Sequence, residues 1–122
     1  MKILLVEDNL LNQKVVIFNL KKFKYEITAF TNGYDALEEI KKNRFDLVLM
    51  DIMLPGMNGI EVSREIRKFE KENNIKDPVP IIALTANTYD NDREKCFRAG
   101  MNEYLPKPFT SEQLIEVVHK FI

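Results

Sequence analysis

The sequence predicts an α/β domain: one parallel five-stranded sheet, doubly wound, with helices on both faces. Three observations predict it. Short apolar runs without helical period, such as Lys2-Ile-Leu-Leu-Val6 and Leu47-Val-Leu-Met50, read as strands buried on both sides. These runs alternate with segments whose apolar residues recur at helical spacing. The connections between them are short, and short right-handed crossovers favour a doubly wound sheet.

Each element has its own local reason. Lys2 to Val6 forms the first strand and runs into the acids Glu7 and Asp8. Asn9 is a suitable N-cap for a helix from Leu10 to Phe23. Glu26 to Phe30 is the second strand; Asn32-Gly33 then supplies turn chemistry, and Ala36, Leu37 and Ile40 fall at helical spacing. The third strand, Phe45 to Met50, delivers Asp51 to its carboxyl end, where Pro55, Gly56 and Gly59 force the chain out. Ile60, Val62, Ser63, Ile66 and Phe69 give the next helix one apolar face, and polar Glu70 to Pro78 reads as an exposed loop. Val79 to Leu84 is the fourth strand, with Pro80 near its start, and it ends at Thr85-Ala86-Asn87. A mostly polar, lightly anchored helix from Tyr89 to Ala99 stops at Gly100. Glu103 to Leu105 is a short fifth strand, and Thr110 and Gln113 have capping-box spacing for a helix carrying Leu114, Val117, Val118 and Phe121.

Composition bounds the function. With 122 residues the chain is expected to be one domain, residues 1–122. Its 18 basic and 19 acidic residues leave a net charge of −1, which gives no electrostatic case for nucleic acid or an anionic membrane. The apolar runs are far too short to span a bilayer, so no membrane insertion is expected. Cys96 is the only cysteine; it excludes an internal disulfide, reads as a small packed group, and suits a reducing, cytoplasmic setting. His119, the only histidine, has no ligand partner nearby in the pattern and reads as a surface residue.

The common five-stranded solution is the flavodoxin-like order 2-1-3-4-5, whose topological switch lies between strands one and three. Glu7 and Asp8 end strand one and Asp51 ends strand three, so the acids converge at that crevice. Thr85 and Lys107 reach the same edge from strands four and five. Three close carboxylates repel unless a proton or a cation enters. Oxygen-only donors suit Mg2+, with Mn2+ as a substitute, and no Cys/His cluster points to zinc. A divalent ion, the Lys107 ammonium and the Thr85 hydroxyl around a carboxylate make a phosphoryl-transfer site, with an aspartyl phosphate as product.

Val6-Glu7-Asp8-Asn9, Asp51-Ile-Met-Leu-Pro-Gly-Met-Asn-Gly59, Leu84-Thr-Ala-Asn87 and Tyr104-Leu-Pro-Lys-Pro108 together resemble the receiver domain of two-component response regulators, over essentially the whole chain. The resemblance implies that Asp51 is the phosphoacceptor, receiving its phosphoryl group from a phosphohistidine. It implies that Glu7, Asp8, Asp51 and the Met53 backbone carbonyl serve the Mg2+ site, with Glu7 acting mainly through water. It makes Thr85 and Tyr104 the switch pair, and sets Lys107-Pro108 at a position that is usually cis. Glu7 to Gln13 and Pro80 to Asn87 look most like receivers attached to hybrid sensor histidine kinases. The expected role is a phosphorylation-dependent switch, not a turnover enzyme, that shifts the face formed by helix four, strand five and helix five. Its partner would be a histidine kinase or a histidine phosphotransfer protein; it would be a monomer, with a phosphorylation-linked dimer as an option.

Taken singly, each residue has a bland alternative: Glu7-Asp8 as a solvated helix start, Thr85 as an N-cap, Lys107 as a loop residue. Other classes fit less well. A haloacid-dehalogenase-type phosphatase resembles an Asp-x-Asp pattern after strand one, where Glu7-Asp8-Asn9 stands here. A flavin carrier needs a Ser/Thr/Gly-rich first loop, and a degenerate receiver would lack some of the five functional residues. On the first helix Val16, Leu20 and Phe23 form one apolar face, while Leu11, Val15 and Phe18 form another that reads as a docking surface.

Overall fold

The structure is a computed structural model that describes residues 1–86 and 90–122. Five strands, β1 (Lys2–Val6), β2 (Glu26–Phe30), β3 (Leu47–Asp51), β4 (Ile81–Thr85) and β5 (Glu103–Pro106), alternate with five helices. The helices are α1 (Leu10–Lys21), α2 (Gly33–Lys42), α3 (Gly59–Glu72), α4 (Asp90–Arg98) and α5 (Ser111–His119). The sheet is parallel throughout and runs β2-β1-β3-β4-β5, the expected order.

Side chains alternate across each central strand, so the sheet feeds two cores. Leu4, Val6, Val48, Met50, Ile81 and Ala83 point to the side packed by α2, α3 and Cys96 of α4. Ile3, Leu5, Leu47, Leu49, Ile82 and Leu84 point to the side packed by α1 and α5. A parallel sheet covered on both faces explains why these strands read as unbroken apolar runs.

The capping chemistry acts as the sequence indicates. The Asn9 side chain accepts the Asn12 N–H, and Thr110 and Gln113 exchange a complete capping box. Asn58 and Glu61 make a second capping box at the start of α3. Gly100, at φ +95°, follows α4 in the left-handed region.

Two expectations need correction. The first helix stops at Lys21, because Lys24 turns the chain at φ +62°. Phe23 leaves the helix face, stacks on Tyr25 at 5.8 Å, and meets the edge of the exposed His119 ring at 4.7 Å. Glu70 does not open a loop: α3 continues to Glu72, and Glu70 is 7% exposed because Arg67 and the Val79 N–H bind its two oxygens. The fourth helix is described from Asp90; Asn87 and Tyr89, its expected approach and first residue, lie outside the described residues.

Candidate functional site

The register places the functional side chains on one edge. Val6 pairs with both Phe30 and Met50, Asp51 with Leu84, and Thr85 with Pro106. The residues that end or follow β1, β3, β4 and β5 therefore emerge together at the carboxyl edge of the sheet. Glu7, Asp51 and Thr85 are buried there, at 2%, 3% and 0% exposure, while Asp8 faces solvent.

Loop geometry fixes Asp51. Gly59 donates its N–H to the Ile52 carbonyl at 3.0 Å and packs so close that an added Cβ would lie 2.3 Å from the Asp51 carbonyl oxygen. Only a glycine allows that approach. The Asp51 carboxylate accepts the Met53 N–H on Oδ1 at 3.0 Å and faces the Lys107 ammonium with Oδ2 at 3.3 Å. Lys107 is held in turn by its own N–H, which donates to the Thr85 carbonyl at 2.6 Å. The Lys107-Pro108 peptide beyond it is cis.

Lys107 also donates to Glu7 Oε1 at 2.7 Å. Among the described residues, Glu7 Oε2 is a buried oxygen without a hydrogen-bond partner. Burial, and then the adjacent Asp51 carboxyl, push Glu7 above the ordinary carboxylate range, against the pull of Lys107. Burial works to lower the Lys107 pKa, but its bond to Glu7 and the charges of Asp51 and Glu7 outweigh it, and the ammonium is held charged.

Glu7, Asp8 and Asp51 each offer an oxygen within 4.8 Å of the others. Three carboxylates around one point, one of them carrying a buried oxygen unpartnered among the described residues, match a hard cation that takes oxygen ligands and keeps some water. The donor set fits Mg2+.

The profile of the response regulator receiver domain matches residues 3–119. The chain belongs to this family. Hybrid signal transduction histidine kinase B of Dictyostelium discoideum is 43% identical over 99% of this chain, which spans 7% of that protein's length. The chain thus corresponds to a small part of its long curated relatives. The receiver domain of sensor histidine kinase PA1611 from Pseudomonas aeruginosa PAO1, crystallised with a magnesium ion in its active-site cleft, is 42% identical. It superposes with a TM-score of 0.86 over 98% of this chain and 95% of its own. A chain of the Saccharomyces cerevisiae co-crystal of the histidine phosphotransfer protein Ypd1 with the receiver domain of Ssk1 is 35% identical. It gives a TM-score of 0.94 over 99% of this chain and 88% of its own.

In this receiver domain the sequence-derived residues gather as follows. Glu7, Asp8, Asp51 and Lys107 form one cluster, with buried Thr85 at the neighbouring strand end. Met53 joins through its N–H, and the residue is 64% exposed. Tyr104 is half-buried in β5 on the same face of the sheet as Thr85, since Tyr104 pairs with Ala83 and Pro106 with Thr85. Leu11, Val15 and Phe18 are exposed on α1, at 69%, 49% and 79%. Gln13 was not among the predicted site residues. Its side-chain amide donates to the carbonyls of Glu7 and Phe30. A polar residue at a core position of an otherwise apolar helix face was the available signal.

Proposed function

We propose that residues 1–122 form a single receiver domain that acts as a phosphorylation-dependent switch, with Asp51 as phosphoacceptor. The observation that carries this reading is the Asp51 carboxylate, held between the Lys107 ammonium and the Met53 N–H, beside the unpartnered oxygen of Glu7. An Asp51 oxygen attacks phosphorus, the P–N bond of a phosphohistidine breaks, and the imidazole nitrogen leaves with the electron pair. Lys107 and the Thr85 hydroxyl neutralise and hold the phosphoryl oxygens.

Glu7, Asp8, Asp51 and the Met53 carbonyl would hold Mg2+, which when bound supplies further charge neutralisation for the phosphoryl group. Mn2+ accepts the same oxygen donors. The domain is a phosphoacceptor in a relay, not an enzyme acting on a free substrate. Its donor is a histidine kinase or histidine phosphotransfer protein, which docks on Leu11, Val15 and Phe18. Bonding of Thr85 to the phosphoryl group then lets Tyr104 move inward and shifts the α4, β5 and α5 face. Cys96, the single cysteine of the sequence, is buried, which suits a cytoplasmic setting. No helix among the described residues is long and apolar enough to cross a membrane.

Acetyl phosphate with Mg2+ tests the acceptor. The wild-type chain should gain one phosphoryl group by intact-protein mass spectrometry, and Asp51→Asn should gain none. Equal labelling of the variant would place the acceptor elsewhere.

A further inference from the structure

Gln13 lies at a position that helical spacing assigns to the core. With Val16 and Leu20 it makes the buried side of α1, and it is 8% exposed. A buried amide is costly unless its polar atoms find partners. Here Nε2 finds two, donating to the Glu7 carbonyl at 2.8 Å and to the Phe30 carbonyl at 3.0 Å.

Those two carbonyls stand where the β1–β2 ladder runs out. The last paired residues are Val6 and Phe30, and Glu7 adds one more bond, from its N–H to Phe30 at 3.0 Å. Glu7 is thus held on both sides of its backbone: its N–H by Phe30, its C=O by Gln13. That C=O belongs to the peptide plane joining Glu7 to Asp8, so the Gln13 amide fixes the plane that links two of the three clustered acids.

Electrostatics make this bond matter beyond satisfying a carbonyl. The carboxylates of Glu7, Asp8 and Asp51 approach within 4.8 Å and repel. Lys107 restrains two of them, bonding Glu7 and Asp51 directly. Among the described residues, no ion pair reaches Asp8, which is exposed and free to swing outward unless its backbone is fixed. The backbone restraint nearest to it is the Glu7 carbonyl bond to Gln13.

We propose that Gln13 is a positioning residue: it holds the Glu7–Asp8 peptide against carboxylate repulsion and so presets Asp8 to ligate a divalent cation. This rests on the reading that Glu7, Asp8 and Asp51 bind Mg2+. Methionine has nearly the same reach as glutamine and donates nothing, so Gln13→Met removes the tether while filling the space. A preset ligand lost to a mobile one should weaken binding by roughly tenfold, the scale on which supporting bonds around metal ligands act.

The test is a double-mutant cycle on the full chain, with Mg2+ affinity read from NMR shifts of amides around Asp51. Gln13→Met should keep native dispersion and raise the Mg2+ Kd by about tenfold. In an Asp8→Asn background the same substitution should change the Kd by less than about twofold, because the carboxylate it positions is gone. A purely structural role predicts a falling melting temperature with no such coupling. An intact Gln13→Met fold with wild-type Mg2+ affinity would overturn the inference, as would an equal loss in both backgrounds. If the methionine variant fails to fold, the Gln13 side-chain amide signals of the wild type decide: they must move in step with the Asp8 amide during Mg2+ titration, and unmoved signals overturn the proposal. A wild-type chain that binds no Mg2+, or an Asp8→Asn chain that binds it unimpaired, would instead strike the metal-site reading, and this inference with it.

Discussion

Lys107 Nζ donates to Glu7 Oε1 at 2.7 Å, joining the end of the first strand to the turn after the last. The bond satisfies only half of the Glu7 carboxylate; Oε2 is buried without a hydrogen-bond partner among the described residues, and an Asp51 oxygen lies within 4.8 Å of the Glu7 carboxylate. Burial and Asp51 therefore win over Lys107 and raise the Glu7 pKa. A carboxyl whose pKa rises on folding stabilises the fold below the ordinary carboxylate range and loses that contribution as pH rises through its folded pKa. At neutral pH, with chelator present, Glu7→Gln should raise the melting temperature by a few degrees (about 1 kcal/mol per roughly 4 °C in a domain this size). The gain should vanish on acidification below about pH 4, where Glu7 is protonated in both states. Added Mg2+ should reverse the ranking. Thermal melts showing the variant less stable at pH 7 without metal would contradict the assignment of charge strain to Glu7.

Asp8 is the exposed member of the acid cluster, and among the described residues no ion pair reaches its carboxylate. Asp8→Asn should leave the melting temperature nearly unchanged in chelator. It should weaken Mg2+ binding by tenfold or more and slow labelling by acetyl phosphate in parallel. The chain has no Trp, so indole quenching cannot serve and NMR shifts near Asp51 are the readout. Mg2+ affinity equal to wild type would move the metal away from this cluster.

Phe18 is 79% exposed on α1, with Leu11 at 69% and Val15 at 49% on the same helix. Beside Val15 a cleft of about 330 Å³ runs between α1 and the β5–α5 turn to Lys107, floored by Val16, Pro108 and Phe109. An apolar helix surface continuous with the reacting centre suits a partner helix that presents a phosphohistidine. Phe18→Ala should slow transfer from such a partner by tenfold or more while labelling by acetyl phosphate stays within twofold of wild type. Equal loss with both donors would indicate a damaged fold.

The switch reading turns on Thr85, which is fully buried at the end of β4. A hydrogen bond to a charged acceptor is worth about 1.5–3 kcal/mol, enough to shift a balanced two-state equilibrium by roughly tenfold to a hundredfold. Thr85→Ala should still accept phosphate on Asp51, yet show a much smaller phosphorylation-induced change in amide shifts along β5 and α5. Persistence of the full change would send the signal by a route other than Thr85 and Tyr104.

The sheet order and the convergence of acids were legible because they follow from local facts. The three central strands announced themselves by apolar runs, and these ran into Glu7, Asp51 and Thr85, polar residues that a parallel sheet must place at one edge. Two helix caps were legible too, Asn9 as a residue type suited to an N-cap and Thr110 with Gln113 by their three-residue spacing, whereas the Asn58–Glu61 box was not read. What stayed hidden depends on partners distant in sequence. Gln13 is a polar residue on the otherwise apolar inner face of α1, and its role appears only once Glu7 and Phe30 are brought beneath it. Phe23 fitted the helical period, but the helix stops at Lys21 and the chain turns at Lys24, just after Phe23. Glu70 stood in a polar run that looked like loop, and its burial depends on Val79 and on Arg67, one helical turn before it.

That last arrangement is a network with a measurable consequence. Arg67 donates from Nη1 to Glu70 Oε1 at 2.7 Å, from Nη2 to Asn102 Oδ1 at 2.9 Å, and from Nε to the Gly100 carbonyl at 2.9 Å. Glu70 Oε2 accepts the Val79 N–H at 2.7 Å, and Asn102 Oδ1 also accepts the Ile81 N–H at 2.9 Å. One guanidinium thus ties α3 to the start of β4 and to the turn between α4 and β5. Removing it strands the Glu70 carboxylate, whose side chain is 9% exposed. Breaking a buried pair from one side costs about 3–5 kcal/mol. Because the Arg67 side chain is itself 22% exposed, water recovers part of that, leaving about 2–3 kcal/mol. Arg67→Ala should accordingly lower the melting temperature by roughly 8–12 °C at neutral pH. The Arg44–Asp77 pair supplies the control: it spans 3.9 Å with side chains 78% and 86% exposed, and Arg44→Ala should leave the melting temperature within about a degree of wild type. Matching losses in the two variants would mean that the Arg67 network carries no more stability than a solvated surface pair.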